Sequence, residues 1–306
     1  STPACCCLMA HDPAIRQVGE DALIRRLLPL MTVNDGLITG PGDDCAVARG
    51  ARGADLLLKT DCVVEGMHFL SGTEPELIGR KALARAVSDI GAMGGVPRHA
   101  LVTLLIHADR PVSQVEGIYT GMRRLAEQFG ISLAGGESSG LPSDGLIISV
   151  ALTGEVPEGK AVLRSTAHAG DLIAVTGVLG GSFPTAHHLT FTPRVREGGI
   201  LAASGLVTAM MDLSDGLGAD LPRLAAASGL GFRVQEELLP VRQGFTAAQA
   251  VADGEDYELL MTFPPRRREE ILRLASECFP ETPLTVIGEM TPEPSSSLPG
   301  GYRHFQ

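Results

Sequence analysis

Met210-Met211-Asp212-Leu213-Ser214-Asp215-Gly216 is the stretch on which the reading of this chain turns. A short apolar strand, residues 210–213, runs into a Ser-Asp-Gly turn, and residues 217–227 then take up a helical rhythm. The strand therefore delivers two carboxylates to the point where chain direction changes. The same placement recurs elsewhere: Asp43-Asp44 in a Gly-rich loop, Asp61 at a strand end, Glu137 after Gly135-Gly136, and Glu255-Asp256 ahead of another strand. Working outward, residues 56–58 read as a short buried strand and residues 76–93 as a long helix opened by Pro75. Ile78, Ala82, Ala86 and Ile90 lie on one stripe of that helix, with Asp89 one residue off it. Strands are expected at 101–106, 131–133 and 146–152, and helices at 15–31 and 113–129. Pro157-Glu158-Gly159 follows a completed strand and precedes a fresh alternation: strands at 171–176, near 232, at 257–263 and near 286, and helices at 180–189, 194–203 and 267–278. The alternation predicts a mixed α/β (α+β) architecture in two domains, 1–157 and 158–306.

Composition narrows the function. The 306 residues carry 25 Lys plus Arg against 36 Asp plus Glu, a formal net charge of −11, which argues against a nucleic-acid partner. No apolar run approaches the roughly 20 residues of a membrane span. With no basic stretch followed by an apolar core near residue 1, a cytoplasmic location is expected. The six cysteines lack the two-residue gap of zinc sites, and the triplet Cys5 to Cys7 precedes any periodic segment. There is no Gly-x-x-x-x-Gly-Lys-Ser/Thr run, no kinase-type Gly-rich loop with a His-Arg-Asp motif, no Gly-x-Ser-x-Gly elbow and no His-Glu-x-x-His helix. His187-His188 reads as structural.

A set of carboxylates gathered at strand ends repels itself unless a cation neutralises it. Hard oxygen ligands suit Mg²⁺, which usually completes its shell with substrate phosphates. With only three lysines, Lys59, Lys81 and Lys160, phosphate binding would fall to metal ions and to backbone N–H groups near Gly135-Gly136 and Gly180-Gly181.

Seven strings, in order, carry a resemblance: Gly42-Asp-Asp-Cys-Ala46; Thr60-Asp61 with Glu65-Gly-Met-His-Phe69; Lys81-Ala82 through Ser88-Asp89; Gly135-Gly136; Met211-Asp-Leu-Ser-Asp-Gly216; Gly254-Glu-Asp-Tyr-Glu258; and Gly301-Tyr-Arg-His-Phe305. The chain resembles the thiamine-monophosphate kinase family, relatives of aminoimidazole ribonucleotide synthetase and selenophosphate synthetase. The resemblance implies an N-terminal α+β domain that dimerises through its sheet, a C-terminal α/β domain and a homodimer. It implies transfer of the ATP γ-phosphoryl group to thiamine monophosphate with several Mg²⁺ ions, K⁺ being a further candidate cation. By position it makes Asp44, Thr60, Asp61, Asp89, Glu137, Asp212 and Asp215 the metal shell, with Asp61, Asp89 and Asp215 nearest the chemistry. Gly136, Arg164 and Ser214 would contact ATP, and His68, Glu255 and Tyr302 the substrate.

Three departures from the family pattern stand out. Glu137-Ser138 replaces Asp-Thr, Asp253 replaces a glycine, and Lys59 occupies a metal-shell position with an ammonium in place of an oxygen ligand. They motivate an alternative, a catalytically silent nucleotide-binding relative; selenophosphate synthetase would instead need a lysine close to the cysteine triplet. On this reading Asp61→Asn removes activity and leaves the fold intact.

Overall fold

The computed structural model describes residues 14–51, 53–294 and 298–302; the Cys5 to Cys7 triplet, Ser295 to Ser297 and the end of the 301–305 string lie outside them. The chain divides into two compact units. In the first, the expected entry helix is two short helices, α1 (Ile15–Val18) and α2 (Glu20–Leu27), followed by a 3₁₀ turn at Leu28–Leu30. The break is Gly19, whose φ of 77° no continuing helix can hold.

The second unit, from Asn34 to Tyr302, holds both sheets. The first sheet has the order β1 (Leu37–Thr39), β2 (Ala46–Arg49), β3 (Ala54–Val64), β6 (Leu146–Pro157), β4 (Val96–Ile106), β5 (Ser132–Gly140). Only β4 and β5 pair in parallel. Residues alternate across it: Leu146, Ile148, Val150, Leu152 and Val156 of β6 are buried, while Ala151 and Glu155 between them are exposed. Leu58 is exposed by the same alternation, so the 56–58 stretch is half-buried rather than buried. Gly135-Gly136 lies inside β5, at the register shift opposite Ala100 and Leu101, rather than beyond a strand end. The helices of this half are α3 (Pro75–Ala92) and α4 (Val112–Phe129).

Helix α3 is buried on nearly all sides: between Ile78 and Ala92 only Arg80 and Arg85 are not fully buried. It touches β3, β6, α4 and elements of the C-terminal half. The expected single apolar stripe is therefore too narrow, and small residues are what admit the neighbours. A Cβ on Gly79 would lie 1.8 Å from the Ile118 carbonyl oxygen, and one on Gly121 of α4 would lie 1.8 Å from that of Glu76.

The second sheet is antiparallel throughout, in the order β8 (Ala209–Asp212), β10 (Leu259–Phe263), β7 (Leu172–Thr176), β11 (Leu284–Thr291), β9 (Gly231–Val234). Around it lie α5 (His187–Thr190), α6 (Val195–Ser204), α7 (Leu217–Ala227), α8 (Ala247–Ala252) and α9 (Arg268–Cys278). The helix expected over 180–189 is only its last turn, because Gly180 and Gly181 both take positive φ. His188 is buried there, stacked on Phe183 with its Nδ1 3.2 Å from the Ser182 carbonyl oxygen. The mixed α+β class holds, yet antiparallel strands mean that ligand-binding rules for open parallel sheets do not explain where the acids gather. Contact between α3 and α6 brings them together: a Cβ on Gly198 would sit 2.0 Å from the Gly91 carbonyl oxygen, so the helix backbones touch.

Candidate active site

Asp44, Asp89 and Asp212 converge. Asp44 follows the loop before β2, Asp89 sits in the last turns of α3, and Asp212 ends β8. One carboxylate oxygen from each lies within 4.8 Å of the others, and all three residues are buried. Ser88 Oγ donates to Asp212 Oδ2 at 2.6 Å, Lys59 Nζ donates to Asp89 Oδ1 at 2.7 Å, and the Arg164 guanidinium donates to Asp44 Oδ1. The second oxygen of Asp44 is buried and has no hydrogen-bond partner among the described residues. A hard, oxygen-only donor set with one orphaned carboxylate oxygen fits Mg²⁺.

The electrostatics report the same crowding. Burial, with Asp44 beside it, pushes the Asp212 carboxyl up to about 7 against the Ser88 bond, and burial and Asp44 push Asp43 up to about 6. Burial works against the Lys59 ammonium, but Asp89 and Asp61 outweigh it and hold the amine above its ordinary range.

Asp61 belongs to a second, adjoining group. Arg85 Nε donates to Asp61 Oδ2 at 3.1 Å, and Arg85 Nη1 is 3.8 Å from Glu255 Oε1. Lys81 Nζ, fully buried, donates to Glu255 Oε2 at 2.7 Å and to the His68 carbonyl oxygen. The His68 ring accepts from the Val64 N–H at 3.0 Å through Nδ1, which pins the turn after β3. Burial alone would raise the Asp61 carboxyl; Arg85 and Lys59 outweigh it and hold it below its ordinary range, whereas burial lowers Lys81 to about 8 against Glu255. Glu255 and Tyr257 both have positive φ, 65° and 51°, held by backbone bonds from their N–H groups to Ser214 and Leu213. The Tyr257 ring stacks on Phe191 at 3.9 Å between centroids, and its buried hydroxyl has no hydrogen-bond partner among the described residues.

The remaining sequence-predicted positions are spread more widely. Asp215 is 2.5 Å from Arg223 Nη1, and its carbonyl oxygen accepts the Tyr302 N–H at 2.8 Å. Ser214 contributes its carbonyl oxygen to the Glu255 N–H. Arg164 also donates its backbone N–H to Asp43 Oδ2 at 3.0 Å. Asp253 accepts the Gly181 N–H at 2.8 Å, so this departure ties down the Gly180-Gly181 turn. Gly136 presses its backbone on Val102, where a Cβ would lie 1.7 Å from the carbonyl oxygen. Thr60 and Glu137 do not join the triad. The Thr60 hydroxyl lies 3.5 Å from Ser149 Oγ on the opposite face of the sheet, and Glu137 is exposed on β5 beside Ser139. Sequence reasoning missed Arg85, Ser88 and Asp43 as partners of the acids; spacing four residues before Asp89 was the one available signal for Arg85.

Residues 42–156 match the family model of the AIR synthase related protein, N-terminal domain, and residues 158–300 that of its C-terminal domain. The chain is 30% identical to the thiamine-monophosphate kinase of Bacillus subtilis (strain 168), covering 94% of this chain and 100% of that protein. It is 37% identical to that of Rhodopirellula baltica (strain DSM 10527 / NCIMB 13988 / SH1), covering 82% and 83%. Among solved structures it is similar to AaThiL complexed with AMPPCP and TMP, with a TM-score of 0.81 at 31% identity, covering 96% of this chain and all of that one.

Proposed function

The chain belongs to the thiamine-monophosphate kinase family within the AIR synthase related proteins, and we propose that it transfers the γ-phosphoryl group of ATP in line to thiamine monophosphate, giving thiamine diphosphate and ADP. The observation that carries this reading is the convergence of Asp44 and Asp89 from the N-terminal half with Asp212 from the C-terminal half, leaving one buried carboxylate oxygen without a partner among the described residues. The attacking atom is a phosphate oxygen already ionised near neutral pH, so no general base is required. The difficulty is bringing two anions together. Mg²⁺, which Asp44 and Asp212 would hold with Asp89 beside them, would supply charge neutralisation, and Asp61 and Asp215 would lie close to the reacting phosphates.

The chain's own residues do the positioning. Arg164, fixed by Asp43 and Asp44, presents a planar guanidinium to the nucleotide phosphates, with the Gly136 and Ser214 backbones alongside. Glu255, held by Lys81, and His68, whose carbonyl the same lysine grips, form the substrate side with Tyr302. We place the boundary between the halves at residues 157 and 158, and assign the exposed face of the first sheet to a homodimer.

The test is incubation of the purified protein with ATP, Mg²⁺ and thiamine monophosphate, with free-thiamine and no-acceptor controls. Thiamine diphosphate that depends on both Mg²⁺ and the monophosphate is expected. ATP binding without product would put a catalytically silent nucleotide-binding role ahead, a reading favoured by Glu137 standing apart from the triad.

A further inference from the structure

Strand β3 and helix α3 exchange two ion pairs across one interface. Lys59 and Asp61 are two residues apart and share a face of the strand; Arg85 and Asp89 are four apart and share a face of the helix. The pairs cross, Lys59 bonding Asp89 at 2.7 Å and Arg85 bonding Asp61 at 3.1 Å. Side-chain exposure is 22% and 8% in the first pair and 13% and 18% in the second, so all four charges are largely withdrawn from water. Two carboxylates that the sequence offers as metal ligands thus already hold a covalently attached cation.

Asp44, Asp89 and Asp212 bring three negative charges, Asp43 beside Asp44 brings a fourth, and Lys59 and Arg164 return two. A single divalent ion offsets the two that remain. A second would have to sit beside the Lys59 ammonium in a buried site, where Asp89 is already bonded to that ammonium and Asp61 to Arg85. The donors still open are the orphaned Asp44 oxygen and Asp212, whose bond comes from a neutral hydroxyl. An ammonium carries three N–H donors, so Lys59 can hold Asp89 and still meet a phosphate oxygen.

We propose that Lys59 and Arg85 act as built-in cations in place of divalent ions on Asp89 and Asp61, leaving one built divalent site, on Asp44 and Asp212. This rests on the reading of the cleft as a cation and phosphate site, but not on which phosphate is the acceptor. The experiment is Mn²⁺ binding to the full chain without nucleotide, by equilibrium dialysis with spin-resonance detection of the free ion. The wild type is expected to bind one Mn²⁺ per chain, and Lys59→Ser, which frees Asp89 and opens space, to bind two. Lys59→Gln, closer in shape, supports the same comparison if the serine variant fails to fold by circular dichroism. Two ions on the wild type, or one on both variants, overturns the proposal. No Mn²⁺ on any of them overturns it and the metal reading together, whereas a wrong count alongside formation of thiamine diphosphate removes this proposal alone.

Discussion

Asp61 illustrates how far a residue can be read before its neighbours are known. It was marked as functional by reading it as a strand-end acid, although β3 (Ala54–Val64) runs three residues past it, and the expectation that Asp61→Asn spares the fold followed from treating it as a metal ligand only. In the structure it neutralises Arg85, a largely buried guanidinium. The asparagine still accepts a bond from Arg85 but carries no charge, so the variant should lose activity and also about 2 kcal/mol of stability. Scanning calorimetry should find it melting roughly 3 °C lower; an unchanged melting temperature would restore the simpler picture. Asp44 and Asp212 were legible because acids at element ends are conspicuous, and Asp89 only through the family resemblance, whereas Arg85 was not legible, since a cation on a helix ordinarily reads as a solvated face. Asp256 gives a pH test away from the acid triad. Burial raises its carboxyl to about 7, and Glu258 adds to this, against the Gly180 N–H and Arg242. Between about pH 4 and pH 7 the unfolded chain has released that proton while the folded chain retains it, so this group's contribution to stability falls as pH rises through that window. Urea melts at about pH 5 and about pH 8 should show a smaller pH-dependent loss for Asp256→Asn than for the wild type.

At the scale of elements, α3 carries the design. Its length and its opening at Pro75 were plain in the sequence, as were β4, α4, α7 and α9 within a few residues. Its burial was not, because periodicity reports an apolar stripe and cannot show that glycines and alanines on the other faces are contact surfaces too. The α3–α6 junction is testable through two adjacent glycines. A Cβ on Gly198 meets the Gly91 carbonyl oxygen at 2.0 Å, while one on Gly199 meets nothing within 4 Å. Gly198→Ala should force the helices apart, move Asp212 away from Asp44 and Asp89, and lower both the melting temperature and kcat. Gly199→Ala should leave activity unchanged and gain about 0.5 kcal/mol from reduced freedom of the unfolded chain. Equal effects from the two variants would remove the junction from the explanation. The residues 180–189 misled for a related reason: their apolar content suits a helix, but Gly180 and Gly181 are needed at positive φ, where Asp253 and Asp256 accept their N–H groups.

For the molecule as a whole, the open question is what covers the outer face of the first sheet. Helix α3 packs on the inner face, while Leu58 and Leu101 are 40% and 52% exposed on the other. Register places Thr60, Ala151, Leu101 and Gly135 in one row across β3, β6, β4 and β5, a small-residue strip with one leucine. Exposed apolar side chains in the middle of a sheet, away from its edges, suit a self-complementary contact, as a two-fold dimer requires. Thr60 lies on this face, and Glu137 is the register partner of Thr103, so their distance from the triad within one chain is what an interface location would produce. Leu101→Glu places a carboxylate on both sides of such a contact, in a protein whose net charge is already −11. Light scattering after gel filtration should give twice the chain mass for the wild type and one chain mass for the variant. The variant should still bind Mn²⁺, because Asp44 and Asp212 are brought together inside a single chain. A dimeric Leu101→Glu protein would move the contact elsewhere, and a monomeric one that had lost Mn²⁺ would make the metal site a property of the pair.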